Sequence, residues 1–125
     1  MTGEDASRFA REWAAAWNEL DVERVLAHFD DDVSFTSPTA LAVAGAPTLH
    51  GKRALREYWN KALASVVSLR FAVLRVLWDP STRELAIIYE SEIDGGKRRV
   101  SENLTFGVTG LVVSAEVFHG VGAAP

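Results

Sequence analysis

Residues 98–119, RRVSENLTFGVTGLVVSAEVFH, constrain this chain more than any other stretch. They read as two strands joined between Gly107 and Gly110. Strand side chains point alternately to opposite faces. Val100, Leu104, Phe106 and Val108 therefore share one face, and Glu102 stands among them. In the second strand Leu111, Val113, Ala115 and Val117 share a face that ends in His119. A carboxylic acid and an imidazole thus each occupy an otherwise apolar surface. Burying an unpaired charge is expensive, so such groups are paired, neutralised or used.

Upstream, the second half of the chain continues in the same manner. Residues 68–78 form one strand-like run, and Asp79-Pro80-Ser81-Thr82 reads as a turn. Residues 83–93 follow, with Leu85, Ile87, Tyr89, Ser91 and Ile93 on one face, and Asp94-Gly95-Gly96 is a hairpin signal. The first half is helical in period. Phe9, Trp13, Ala16, Trp17 and Leu20 line one face of a helix over residues 2–19, which Thr2 and Asp5 cap. A short second helix starts at Asp21, turning Val22, Val25, Leu26 and Phe29 inward, and Asp30-Asp31-Asp32 breaks it as a solvated turn. Val33, Phe35 and Ser37 fall together on a strand that ends at Pro38. Residues 39–49 lack a period and read as a loop or loose helical turn, either a flap over a cavity or a packed connector. A third helix opens at Gly51, with Leu55, Tyr58, Trp59, Ala62, Leu63 and Val66 on its apolar face. Residues 120–125 read as a frayed tail.

The order is helices, strand, helix, then a four-strand antiparallel meander. This is an α+β fold, with about three helices packed on one face of a curved antiparallel sheet. At 125 residues the chain, 1–125, is a single domain able to bury a real core. Its net charge of −4 is scattered, and its basic runs, Lys97-Arg98-Arg99 and Lys52-Arg53, are too short for a nucleic-acid surface. Thiol chemistry is excluded, because the chain has no cysteine. No apolar run reaches the roughly 20 residues of a membrane span, and the N-terminus lacks a secretory signal, so a cytoplasmic protein is expected. His28, His50 and His119 lack metal-ligand spacing, and no metal or other cofactor is expected.

Three phrases carry a family likeness: WAAAWNELDVERVLAHFDDDVSFTSP, LHGKRALREYWNKAL and GLVVSAEVFHG. Across roughly residues 5–120 the chain resembles the nuclear transport factor 2-like superfamily, in its SnoaL-like and ketosteroid-isomerase-like branch. The resemblance implies a cone-shaped roll with a cavity between sheet and helices. It also implies a homodimer formed through the outer sheet face, here Ile88, Glu90, Asn103, Thr105, Ser114, Glu116 and Phe118. The isomerase site residues map onto Trp13 (helix-1 tyrosine), Ser37 (general-base aspartate) and Trp59 (supporting tyrosine). The oxyanion-holding aspartic acid maps onto Glu102, or onto Asn103 if the register slips by one. Three of these four positions have changed type, so the resemblance does not extend to ketosteroid isomerase activity. The alternating arginine and aspartate of limonene-type epoxide hydrolases are missing as well. SnoaL-like cyclases need only one carboxylate in an aromatic cavity, which Glu102 or Glu116 would supply.

Two readings follow. In one, the protein binds a hydrophobic cyclic or polyketide-like molecule and moves a proton on it. Glu102 acts as acid or base with His119 assisting, and Trp13, Trp17, Phe35, Ser37, Tyr58, Trp59 and Tyr89 line the site. In the other, it is a non-catalytic ligand carrier or dimerising domain, partly filled by those aromatics. Glu102 could equally be paired with Arg75 or Tyr89, and His119 could pair with Glu102 or cap its strand.

Overall fold

The structure, a computed structural model, describes residues 1–121. The tail read at residues 120–125 lies outside the described residues from 122 onward. Helix α1 (Gly3–Asn18) opens with a reciprocal cap: Asp5 N–H donates to Thr2 Oγ1 at 3.1 Å, and Thr2 N–H donates to Asp5 Oδ2 at 2.8 Å. It buries Phe9, Trp13, Ala16 and Trp17, as its period requires. Leu20 falls outside the helix, at φ 56 and 40% exposed, so it does not join that face. Helix α2 (Val22–Leu26) is capped by the Asp21 side chain.

Strand β1 (Phe29–Thr36) then begins earlier than expected. Asp30, Asp31 and Asp32 lie within it rather than in a turn. There Asp30 Oδ1 accepts the Asp32 N–H at 2.9 Å, and pairing with the last strand shifts register between Phe29 and Ser34. An irregular strand can carry three consecutive acids because Asp31 and Asp32 are exposed and Asp30 is only half-buried. In the unpatterned segment after Ser37 the helical alternative holds, and its Thr39 and Val43 border the cavity described below. The segment forms helix α3 (Pro38–Ala44) and a short strand, β2 (Thr48–His50). Ser37 Oγ accepts the Thr39 N–H, Pro38 occupies the first turn, and Gly45 closes the helix at φ 79. The helix count is thus four rather than three. A helix this short, apolar on most sides, shows no period to read. Helix α4 (Lys52–Leu63) buries Leu55, Tyr58 and Trp59, and Val66 lies beyond its end.

Strands β3 (Leu69–Asp79), β4 (Glu84–Ile93), β5 (Gly96–Phe106) and β6 (Val112–His119) form the antiparallel meander. The six-stranded sheet runs β2-β1-β6-β5-β4-β3. Its β1–β6 junction is parallel, which makes the sheet mixed rather than purely antiparallel. The sheet is curved and unclosed, with helices packed against its concave side. The β4–β5 hairpin turns on Asp94 at φ 50 and Gly95 at φ 87, the left-handed pair that a tight two-residue turn needs. Asp94 Oδ1 also accepts the N–H groups of Val67 and Ser68, at 2.9 and 2.8 Å, tying the hairpin to the entry of β3.

Two inward assignments on the last hairpin need correction. Val108 sits in the β5–β6 turn and is 88% exposed. A register shift between Thr105 and Phe106 sets Val112, not Val113, against Phe106, and Val112 is buried. A bulge adds one residue and flips the alternation beside it. Beyond it, Ala115 and Val117 return to the core face, with His119 following.

Candidate functional site

Between α1, α4 and the concave sheet face lies a cavity of about 750 Å³. Helix α1 contributes Trp13 and Trp17, and β1 contributes Phe35 and Ser37 at its end. Helix α4 adds Tyr58 and Trp59, while the meander adds Tyr89, Glu102 and His119. All nine candidate residues therefore border one space. Their convergence follows from simple periods: two tryptophans one turn apart on α1, adjacent aromatics on α4, and alternate residues on the strands.

The aromatic walls are interlocked. Trp17 meets Trp59 edge-on at 4.8 Å, and Trp59 meets Phe35 at 5.6 Å. On the sheet side Trp13 contacts Tyr89 at 5.0 Å. Phe71 of β3, which the sequence reading overlooked, stacks on Trp13 at 5.5 Å and meets Tyr89 at 4.7 Å. Asn18, at the end of α1, holds Phe71 in place. Its Oδ1 accepts the Phe71 N–H at 2.7 Å and its Nδ2 donates to the Phe71 carbonyl at 3.2 Å. Such edge-to-face contacts position the rings beyond what area burial alone would do.

Glu102 is 5% exposed and bears the cavity's sole carboxyl group among the described residues. Its strand partners are Ile87 on β4 and Val117 on β6, both apolar and buried. Tyr89, opposite Val100, is its diagonal neighbour, and the Tyr89 Oη–H donates to Glu102 Oε1 at 3.1 Å. Burial pushes the Glu102 carboxyl up from 4.5 to about 7, and the Tyr89 hydrogen bond holds it from rising further. The same burial, with the Glu102 charge beside it, pushes the Tyr89 hydroxyl well above its ordinary value, so it remains a donor. Tyr58 is raised too, chiefly by burial, with the Ser37 hydroxyl opposing.

Of the alternatives for Glu102, Arg75 is exposed and takes no part, whereas Tyr89 is the partner. Asn103 points the other way, its Nδ2 donating to the Glu116 carbonyl at 3.1 Å, which removes the one-residue slip. Glu116 is exposed on the outer face and cannot supply the cavity's acid. Ser37 lines the cavity, yet its Oγ serves as the α3 cap. His119 sits opposite Val100, one diagonal from Glu102, and bonds to Arg98 Nη1 through Nδ1 at 2.9 Å. A guanidinium can only donate, so Nδ1 accepts and the imidazole is neutral with its proton on Nε2. Burial, then the Arg98 charge, lowers its pKa. His50 is exposed and meets the Ser34 hydroxyl at 3.2 Å. His28, just past the end of α2, is half-buried, its ring edge-on to Phe9 at 4.9 Å. Among the described residues no cluster of three or more His, Asp or Glu could hold a metal ion. No helix among them is long and apolar enough to cross a membrane.

Residues 10–113 match the SnoaL-like domain family. The chain belongs to that family. It is 31% identical to a SnoaL-like protein of unknown function from Burkholderia thailandensis, covering 96% of this chain and 98% of that one, with a TM-score of 0.87. It shares its fold with SalBIII, an epoxide hydrolase/cyclase-like enzyme of pyran ring formation in the polyether salinomycin. That likeness has 18% identity, 94% and 92% coverage, and a TM-score of 0.74. A computationally designed 17-OHP binder is similarly alike, at 18% identity, 93% and 92% coverage, and a TM-score of 0.72. Curated proteins give no match.

Proposed function

We propose that this protein binds a largely apolar, cyclic small molecule in the aromatic cavity and catalyses proton transfer on it, with Glu102 as the acid or base. The observation that carries this reading is the isolation of Glu102. It is buried, its one side-chain partner among the described residues is a neutral tyrosine hydroxyl, and burial pushes its carboxyl up to about 7. A group that divides between both protonation states near neutrality is suited to general acid–base work. Tyr89 steadies the charged form, and Trp13, Trp59 and Phe71 line the apolar wall against which a planar substrate would pack. His119 contributes as a neutral Nε2–H donor rather than as the base. The substrate would be of the cyclic or polyketide-like class, as the likeness to an epoxide hydrolase/cyclase-like enzyme supports at the level of fold.

The test is deuterium exchange. Ring ketones that raise the melting temperature are incubated in D2O with wild type and with Glu102→Gln. A ligand at 100 times its dissociation constant adds about 2.7 kcal/mol to stability, which is easily read. Catalysed deuterium incorporation by wild type and loss of it in the folded, ligand-binding variant is the expected result. Equal incorporation by both proteins would refute the role given to Glu102.

A non-catalytic binder is the second reading, favoured by the commitment of Ser37 to helix capping, which leaves no second base at the end of β1. The fold's use as a designed binder accords with it. Binding without any exchange would select it. Homodimerisation through the outer sheet face belongs to the same proposal. Leu77 and Phe118 stand 56% and 53% exposed there, and Phe118→Glu is expected to leave a monomer in sedimentation experiments.

A further inference from the structure

We propose that the ligand of this cavity carries a carboxylate, held where the cavity meets solvent by Arg98, which His119 orients, with Ser91 beside it. The inference rests on the ligand-site reading above and names the substrate class more closely.

Arg98 has the same strand parity as Val100 and Glu102, so it stands on the concave face of β5 and lines the cavity, yet it is exposed. It therefore marks the open end. Its neighbours on the strand differ in what they face, although neither Lys97 nor Arg99 joins an ion pair among the described residues, and Lys97 borders the cavity too. Lys97 lies opposite Glu92 and Arg99 opposite Glu90, each a basic residue facing an acid across the β4–β5 pair. Arg98 faces Ser91, which has no charge. Among the described residues Arg98 joins no ion pair, and its side chain bonds to His119 alone. That bond draws on Nη1 and orients the guanidinium, which still has donors to spare of its five. A guanidinium engages a carboxylate with two parallel hydrogen bonds, so an oriented one is a ready receptor.

Glu102 is not the acid that answers this cation. Four residues along one strand separate their Cα atoms by about 13 Å. The Glu102 carboxyl responds to burial and to Tyr89, with no contribution from Arg98. Ser91 is buried, lines the same cavity and makes no side-chain hydrogen bond among the described residues, leaving a second donor beside Arg98. His119, whose Nδ1 accepts from Arg98 and whose Nε2–H therefore points away from it, orients the guanidinium rather than sharing the carboxylate. The cavity thus presents an aromatic interior with one acid at depth and a cluster of unanswered donors at its mouth. A fused-ring body with a carboxylate at one end matches both halves.

The experiment is calorimetric titration with matched pairs: naphthalene, anthraquinone and steroid-ring carboxylates, each beside its own carboxamide. Wild type should bind at least one acid about 10-fold or more tighter than its amide, the scale of a charge-assisted hydrogen bond. Arg98→Gln should reduce that preference to about twofold or less, and Arg98→Lys should restore part of it. Arg99→Gln, on the opposite face of β5, should leave the preference intact. Equal binding of acid and amide by wild type overturns the carboxylate assignment while the cavity reading stands. A preference that survives Arg98→Gln overturns the role of Arg98. Failure of every ring compound, charged or neutral, overturns both readings.

Discussion

Replacing Glu102 with Gln should change how stability depends on pH, and the size of the change follows from burial. Glutamine keeps the volume and an acceptor for the Tyr89 hydroxyl, so packing and the hydrogen bond survive. Only the titration is lost. In the folded protein the carboxyl titrates at about 7, against 4.5 as its ordinary value. Between those values the folded state holds a proton that the unfolded chain has released. Stability from this group is therefore fully present below about pH 4.5 and declines as pH rises through about 7. At about 1.4 kcal/mol per pH unit, the decline amounts to roughly 3 kcal/mol. The assay is urea unfolding of both proteins at intervals from about pH 4.5 to about pH 8, taking the difference in unfolding free energy at each. Other carboxylates titrate alike in both proteins and cancel. Wild type should lose about 3 kcal/mol relative to Glu102→Gln across the range, so the variant becomes the more favoured partner at high pH. A difference that stays flat within about 0.5 kcal/mol would mean that Glu102 titrates like a solvated glutamate, and the argument from desolvation would fail.

Tyr89→Phe removes the one donor that favours the charged carboxylate, so the Glu102 pKa should rise above its present value of about 7, by about one pH unit, as read by NMR of labelled glutamate. A downward movement would show that Tyr89 instead stabilises the acid form. Ser37→Ala deletes the α3 cap and should cost about 1 kcal/mol, with faster amide exchange at Thr39; unchanged exchange there would argue against the cap. Asp94→Ala should cost more than Asp94→Asn in denaturant unfolding. Alanine loses both the bonds to Val67 and Ser68 and a residue at ease at positive φ, whereas asparagine retains an acceptor and tolerates the turn. Equal costs would mean that neither property matters.

Much of this architecture was legible in the chain. The aromatic faces of α1 and α4 and the inward parity of Leu85, Ile87 and Tyr89 are local periodicities, and local periodicity survives folding. The four-strand meander and the Asp94-Gly95 turn were readable for the same reason. The short α3 was not, since seven residues bounded by a serine cap and a left-handed glycine carry too little period to declare themselves. Nor was the bulge beside Phe106, which moves Val112 inward and Val113 aside.

Strand alternation alone placed Glu102 and His119 each on an apolar face of its own strand. What each group does there required the tertiary structure. Glu102 had Arg75, Tyr89 and His119 as possible companions, and the β4–β5 register set Tyr89 at its diagonal. The β5–β6 register carried His119 towards Val100, where Arg98 holds its Nδ1. The parallel joining of β1 to β6 brought Phe35 and Ser37 to the same cavity. Alternation is a property of one strand, whereas register and strand direction belong to pairs of strands distant in sequence. Ladder hydrogen bonds and the bulge set them, so the proton chemistry of this site is decided between strands rather than within them.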